Sequence, residues 1–406
     1  MLRRQVVPSI PVRPTHLLAL ALMAATAGCG DEADVSTGPA PAPSLATASG
    51  SVLTFRLVSV GYNHTCGVTT DDRAYCWGSN GYGDLGIGAV GPTPSLTPVA
   101  VAGAHKFRLV SAGSFFTCGI ATDDRAWCWG QNNFGQLGDG TISTRTAPVL
   151  VSTRQRFTHL RAGSGHVCGV TLTNQAFCWG HNIWGQIGDG SEVNARRHPT
   201  LVAGGLSWRR VIAGGLTTCG VTTDDRAYCW GNGRSGQVGD GKTILRFTPS
   251  AVATQLRFRQ VTTGGNHSCG VTTTDRAYCW GLNTDGEIGD GTITTRPKPV
   301  AVVGGLAFSG VTEGLASTCG NTLDHRAYCW GANPSGLLGD GTTDGHRTPV
   351  AVVGGLRFSG LSTGNGHSCG TTTGDLAYCW GVNYAGQLGD GTTTTRTTPV
   401  AVVGPT

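Results

Sequence analysis

The chain has 406 residues with 65 glycines, two methionines and only 13% charged side chains, a composition of tight turns and short strands that excludes a helical bundle. Its formal charge of +5 rests partly on Arg3, Arg4 and Arg13; discounting these three leaves 26 of the 29 Lys and Arg against 24 Asp and Glu. That near-neutral balance, without a Lys/Arg cluster, gives no footprint for phosphate-backbone binding, so nucleic acid is not an expected partner.

Residues 1–28 carry the three arginines, an apolar run from Leu17 to Ala25 and then small residues, the layout of a signal peptide. The sequence Thr26-Ala27-Gly28-Cys29 resembles a bacterial lipoprotein signal with Cys29 as the lipidated residue, although Thr26 stands where such signals usually have Leu, Val or Ile. Ala25-Thr26-Ala27 also satisfies the rule for ordinary cleavage, which would release a soluble protein. Cysteine parity favours lipidation, because Cys29 is the odd thiol beside fourteen that form pairs. In the signals this resembles, Gly30 rather than Asp after the cysteine favours the outer membrane. Residues 29–50 form a Pro/Ala/Ser-rich tether with too little apolar content to order itself.

Residues 51–406 repeat about every fifty positions, which overrides the two or three domains that length alone suggests. The third unit shows the parts: Phe157 to Gly163, His166 to Thr171, Gln175 to Gly180 and Pro199 to Ala203, each short, β-prone and bounded by turn residues. Four strands per unit and seven units predict an all-β fold, a seven-bladed β-propeller of four-stranded antiparallel blades. The first unit lacks a preceding Pro-Val-Ala-Val segment and the chain ends with Pro399-Val400-Ala401-Val402-Val403. The expectation is that residues 399–403 complete the blade containing residues 55–78, so that the C-terminal strand closes the ring.

Gly-x-x-His-x-Cys-Gly-Val, Tyr-Cys-Trp-Gly-x-Asn-x-x-Gly-Gln-Leu-Gly-Asp-Gly-Thr and Pro-Val-Ala-Val resemble the repeats of the regulator of chromosome condensation superfamily over residues 51–406. The resemblance implies the seven-bladed propeller. It implies no single activity, because the superfamily includes nucleotide-exchange factors for small GTPases, secreted β-lactamase inhibitors and many uncharacterised members.

Seven Cys-x9-Cys pairs index the units: Cys66 with Cys76, Cys118 with Cys128, Cys168 with Cys178, Cys219 with Cys229, Cys269 with Cys279, Cys319 with Cys329 and Cys369 with Cys379. A hairpin turning between each pair sets the two cysteines opposite each other, within reach of a disulfide, so one bridge per blade is expected in an oxidising compartment. Free thiols and thiolate-bound zinc are the rival readings, and zinc knuckles favour the much shorter Cys-x2-Cys spacing.

Six units carry Gly-Asp-Gly, at Asp139, Asp189, Asp240, Asp290, Asp340 and Asp390. Arg145, Arg196, Arg246, Arg296 and Arg396 follow five of them, and His346-Arg347 follows the sixth. The first unit has Ile87 and Ser95 instead, and this joint loss predicts loop-bracing ion pairs within each unit rather than a ring that holds metal or an anionic ligand. His64, His166, His267 and His367 precede the first cysteine in four units, with Phe116, Thr217 and Ser317 elsewhere, a pattern expected of a structural hydrogen bond.

Positions that vary between repeats are those the fold leaves free. In the loop after each tryptophan, Tyr82, Phe134 and Trp184 occupy equivalent sites, and Tyr384 extends the series once the ring closes. These four are the expected partner-binding residues, against the alternative that they tuck beneath adjacent loops. The expected function is an exported, monomeric, disulfide-braced interaction scaffold for an unidentified protein or glycan, touching a membrane only through a lipid anchor. No catalytic residue, metal or cofactor is assigned. Inhibition of a secreted enzyme such as a β-lactamase is the first alternative; a propeller lyase or glycosidase using a non-repeated acid, Glu192, Glu287 or Glu313, is the second.

Overall fold

The computed structural model describes residues 53–91 and 93–405; the expected signal peptide, Cys29 and the expected tether lie outside the described residues. The first blade contains β1 (Phe55–Val60), β2 (His64–Thr69), β3 (Ala74–Gly78) and β4 (Ser95–Ala100), hydrogen-bonded in that order and antiparallel throughout. The same unit recurs six more times, giving seven four-stranded sheets. The equivalents of β1 are Phe107–Ala112, Phe157–Ala162, Trp208–Ala213, Phe258–Thr263, Phe308–Glu313 and Phe358–Thr363. These first strands neighbour one another around the ring and their C-terminal ends line one axial cavity, so they are the innermost strands.

The hairpin between β2 and β3 explains the cysteine spacing. Asp72 takes φ 68° in the turn, a left-handed conformation that Asp tolerates through its short polar side chain. Cys66 then faces Cys76 in register and bonds to it. The other six hairpins repeat the arrangement: Cys118 bonds to Cys128, Cys168 to Cys178, Cys219 to Cys229, Cys269 to Cys279, Cys319 to Cys329 and Cys369 to Cys379. Across the seven disulfides the Cα separations are 4.0–4.1 Å. Cysteine therefore meets cysteine within its own blade in every unit, which leaves no thiol of the ring free for the zinc reading. Both sheet faces at the cysteines are buried between blades, which is why β2 has no exposed residue.

Tryptophan joins the blades. Each tryptophan that follows a second cysteine is fully buried and donates its indole N–H to a carbonyl of the preceding blade, as in Trp129 to Asp84 (2.9 Å), Trp230 to Gln186 (3.0 Å) and Trp330 to Glu287 (2.8 Å). Burial of the large ring supplies the energy, and the N–H bond fixes its orientation. The loop glycine opposite is a consequence. At Gly86, with φ 68°, a Cβ would lie 2.7 Å from the Trp129 ring.

The C-terminal strand corrects an expectation. Residues 396–401 pair only with Ala377–Gly381 of their own blade, and β1 pairs only with β2. The reason is one of phase: the Pro-Val-Ala segment follows each unit's tryptophan hairpin, so Ser95–Ala100 already fills the fourth place of the first blade and leaves no vacancy. The ring closes by packing instead. Trp77 donates to the Gln387 carbonyl at 2.9 Å, and the Phe55 amide donates to the Asp375 carbonyl at 2.7 Å, as Phe107 does to Asp72 at 2.8 Å. Val400 and Val402 pack with Phe55 and Trp77 across this seam. The closing seam is thus built like the internal ones.

Candidate binding face

The turns between the first and second strands and the long loops between the third and fourth strands emerge on one face. There the axial cavity, about 440 Å³, opens among Tyr62, Leu216, Asn266, Leu315 and Asn365 and a ring of glycines. Gly113 and its equivalents leave no room for a side chain, since a Cβ on Gly113 would meet the Gly163 carbonyl oxygen at 2.6 Å. The inner loops can approach so closely only as bare backbone.

Around this mouth lie the loop aromatics. Tyr82, Phe134 and Tyr384 are 44%, 41% and 63% exposed, and Trp184 is half-buried. Each leans onto the following blade. Tyr82 packs on Phe115 with centroids 5.3 Å apart and Phe134 on His181 at 4.4 Å, while the Arg234 guanidinium lies 5.0 Å from the Trp184 ring centroid. The Tyr384 hydroxyl donates to Asn63 Oδ1 at 2.7 Å, across the closing seam. These rings are therefore braced at one edge and open at the other.

Two aromatics belong to the same surface although the sequence reading did not include them. Tyr62, 37% exposed at the cavity mouth, packs on Phe115 at 5.2 Å, and Phe115 in turn meets Tyr82. A continuous aromatic path thus runs from the axis to the outer loop. Positions 62 and 115 also vary between repeats, a signal available in the sequence once the inner loops are aligned as well as the outer ones.

The repeated charges form ion pairs. Asp139, Asp189, Asp290 and Asp390 pair with Arg145, Arg196, Arg296 and Arg396 at 2.8, 2.6, 2.7 and 2.9 Å, and Asp240 pairs with Arg246. In the sixth blade His346 rather than Arg347 reaches Asp340, at 3.0 Å. Burial works against ionisation of Asp139, but hydrogen bonds from Thr141 and Arg145 outweigh it and hold the carboxyl below its usual value. Paired in this way, the acids face their own loops, not a shared ligand.

The histidines make a bond that the sequence reading expected without its partner. His64, His166, His267 and His367 are buried, and their Nε2 atoms meet the hydroxyls of Thr117, Thr218, Thr318 and Thr65 in the next blade at 2.9, 2.8, 2.9 and 2.7 Å. Where histidine is absent, at Phe116, Thr217 and Ser317, the facing residue is Val167, Ser268 or Ser368. The two positions therefore change together. Burial pulls the His64 and His267 pKa values down to about 4, keeping the rings neutral.

The non-repeated acids lie in separate blades. Glu192 is exposed, and buried Glu287 stands where most blades have Gln, accepting from the Asp285 amide at 2.9 Å. Glu313 lines the axial cavity and accepts a hydrogen bond from the Thr262 hydroxyl; burial pushes its pKa up to about 8. Among the described residues no three His, Cys, Asp or Glu side chains converge as a metal site would require.

Fold and face define a seven-bladed propeller that presents loops around an axial mouth. Two models of the regulator of chromosome condensation (RCC1) repeat match it, one at residues 55–84, 107–136, 210–237 and 258–287, the other at 71–120, 123–170, 224–271 and 324–370; together they span more than half the chain. The chain belongs to the RCC1-repeat superfamily. It is 30% identical to human probable E3 ubiquitin-protein ligase HERC6 over 136 residues, covering 31% of this chain and 13% of that protein. It is 34% identical to the Arabidopsis thaliana ultraviolet-B receptor UVR8 over 89 residues, covering 21% of this chain and 20% of the receptor. The chain thus matches only a small part of these relatives' length. Among solved structures, human WBSCR16 superposes with a TM-score of 0.72 at 18% identity, over 79% of this chain and 88% of that one. Prp20p of Saccharomyces cerevisiae, studied for binding to Gsp1p and histones, gives a TM-score of 0.71 at 18% identity, over 86% and 87%. At such identity the likeness is one of fold.

Proposed function

We propose that this protein is an extracytoplasmic interaction scaffold that binds a protein partner through the aromatic face formed by Tyr82, Phe134, Trp184 and Tyr384, extended inward by Tyr62 and Phe115. The observation that carries the reading is the arc of half-exposed rings on one face, with Tyr82, Phe134, Trp184 and Tyr384 each braced on the next blade. Rigid aromatics held open to solvent offer large contact area at little entropic cost. The superfamily's interaction role and the structure of Prp20p, a protein that binds Gsp1p and histones, support a protein as the partner class. Seven disulfides fit an oxidising compartment. In this reading Cys29 carries the lipid anchor, and the acids and histidines of the blades serve structure rather than catalysis.

The test is a triple substitution, Tyr82, Phe134 and Trp184 to Ser. The variant should keep its circular dichroism spectrum and unfolding temperature and lose partner capture from envelope fractions. Capture that survives the substitution would refute the assignment of this face. Cys29→Ala should abolish incorporation of labelled palmitate and move the protein from membrane to soluble fraction; unchanged membrane association would contradict the anchor.

A further inference from the structure

The loop face holds charge that no ion pair absorbs. In the second to fifth blades Arg145, Arg196, Arg246 and Arg296 brace their own loops. Arg197, Arg234, Lys242 and Lys298 are additional and exposed, and among the described residues none of these four side chains makes an ion pair or a hydrogen bond. The repeat does not require them. Other blades place Leu96, Thr146 or Phe247 where Arg197 stands, and Thr97, Thr248 or Thr348 where Lys298 stands.

Their contacts set them beside the aromatic arc. Arg197, on the outer strand Ala195–Leu201, reaches back over the second blade: a Cβ on Gly135, the residue after Phe134, would meet its Cα and Cγ at 2.8 Å. The Arg234 guanidinium lies 5.0 Å from the Trp184 ring centroid. Lys298, on the outer strand Arg296–Ala301, reaches back over the fourth blade, where a Cβ on Gly241, the residue before Lys242, would meet its Cε at 2.8 Å. The four cations therefore run from Phe134 past Trp184 to the loop of the fourth blade.

Acids do not balance them. The outer loops of the second, third and fourth blades contain Asp139, Asp189, Asp240 and Glu192; the three aspartates are paired with their own arginines, and Glu192 is exposed and, among the described residues, unpaired. Four free cations thus stand against one free carboxylate. The neighbouring sector differs. Arg347 fills the Arg197 slot of the sixth blade, but it lies against Gly286 beside exposed Asp285, and Asp344 is exposed in the same blade's loop. The outer loops of the seventh and first blades add no unpaired exposed charge among the described residues. Ile142, Val193 and Ile244, each about half exposed, stand in the same three loops as the excess positive charge.

We propose that the partner of this face is an acidic polypeptide, whose carboxylates meet Arg197, Arg234, Lys242 and Lys298 while its apolar side chains meet Phe134, Trp184 and the loop isoleucines. The inference rests on the reading of the loop face as the partner site and adds the partner's chemistry. Unpaired guanidinium and ammonium groups match carboxylates, and a one-signed sector steers an oppositely charged partner and fixes its register. Interleaving of the cations with rings and aliphatic side chains suits a polypeptide, which offers acids and apolar groups together, rather than a phosphate backbone.

The experiment measures binding of a labelled random copolymer of glutamate and tyrosine to the purified full chain, disulfides intact, at pH 7 and physiological ionic strength. A copolymer of lysine and tyrosine, phosphatidylglycerol vesicles and a thymidine oligonucleotide are run beside it. Saturable binding of the acidic copolymer alone is expected, weakening at least tenfold when Arg197, Arg234, Lys242 and Lys298 are all replaced by Glu. Replacing Lys106, Arg154, Arg257 and Arg276, exposed on the opposite face, by Glu changes the net charge equally and should leave binding unchanged. Both variants should keep the parent's circular dichroism spectrum. No saturable binding of the acidic copolymer, equal binding of the basic one, or equal loss in both variants would overturn the proposal. Tighter binding of the vesicles or the oligonucleotide would also overturn it, in favour of a lipid or a nucleic acid. The aromatic triple substitution separates this inference from the reading beneath it. If that variant loses partner capture from envelope fractions and reversal of the four loop-face cations does not, the acidic partner is refuted and the face stands; if the triple variant captures normally, the face itself is refuted.

Discussion

The disulfide hairpins and the loop face of the propeller obey different rules. In the hairpins, Cys, Gly and Trp recur in all seven blades because each fills a seam of fixed shape: Gly67 lies against Phe55, and Trp129 fits beneath Gly86. On the outer loops the same slot holds tyrosine, phenylalanine, tryptophan, serine or aspartate, as at Tyr82, Phe134, Trp184, Ser235 and Asp285. A seam between blades tolerates few solutions, and where one side changes, as from His64 to Phe116, the facing residue changes with it, from Thr117 to Val167. The loop face borders solvent, so chemistry can vary there without loss of the ring.

The seams depend most on the hairpin tryptophans. Trp280→Ala removes a fully buried ring and its bond to the Gln237 carbonyl and should cost about 3 to 5 kcal/mol in denaturant unfolding. A cost below about 1 kcal/mol would show that the blades are not joined by these rings.

Acid acts on the same seams through the slot histidines. The slot histidines titrate near 6.5 when unfolded but only at about 3 or 4 when folded, so the unfolded chain binds more protons between those values. Their contribution is complete above pH 6.5 and is lost as pH falls towards 4, on the order of 3 kcal/mol for each histidine. His267→Ser, the residue that the sixth blade carries at this slot, should flatten the pH dependence of unfolding; an unchanged slope would contradict the buried, neutral state.

Replacing one cysteine pair, Cys269 and Cys279, by alanine opens a single hairpin and should cost about 2 to 3 kcal/mol. Unfolding of all seven blades together in that variant, read by amide exchange, would indicate a ring that is cooperative across seams. The smallest effect belongs to the face. Phe134→Ser should cost no more than about 1 kcal/mol, because the ring packs along one edge only and leaves the other open; a loss comparable to Trp280→Ala would return the loop aromatics to the core.

Most of the scaffold was legible because periodicity repeats each local signal seven times. The spacing of Cys66 and Cys76 implies a hairpin, and the joint loss at Ile87 and Ser95 pointed to the Asp and Arg pairs. Contacts between blades were harder to read. His64 and Thr117 lie 53 residues apart, and only the ring's geometry makes them neighbours. Strand exchange at the closing seam was expected from the phase of Pro399–Val403, but each unit already supplies its own outer strand.

The central claim is that partners meet the aromatic loop face. A photo-crosslinking phenylalanine analogue placed at position 82, at position 134 and at exposed position 274, in a hairpin turn on the opposite face, would test it most directly in cells producing the protein. Discrete adducts from positions 82 and 134 and none from 274 are predicted. Adducts from 274 alone, or equally from all three, would contradict the account.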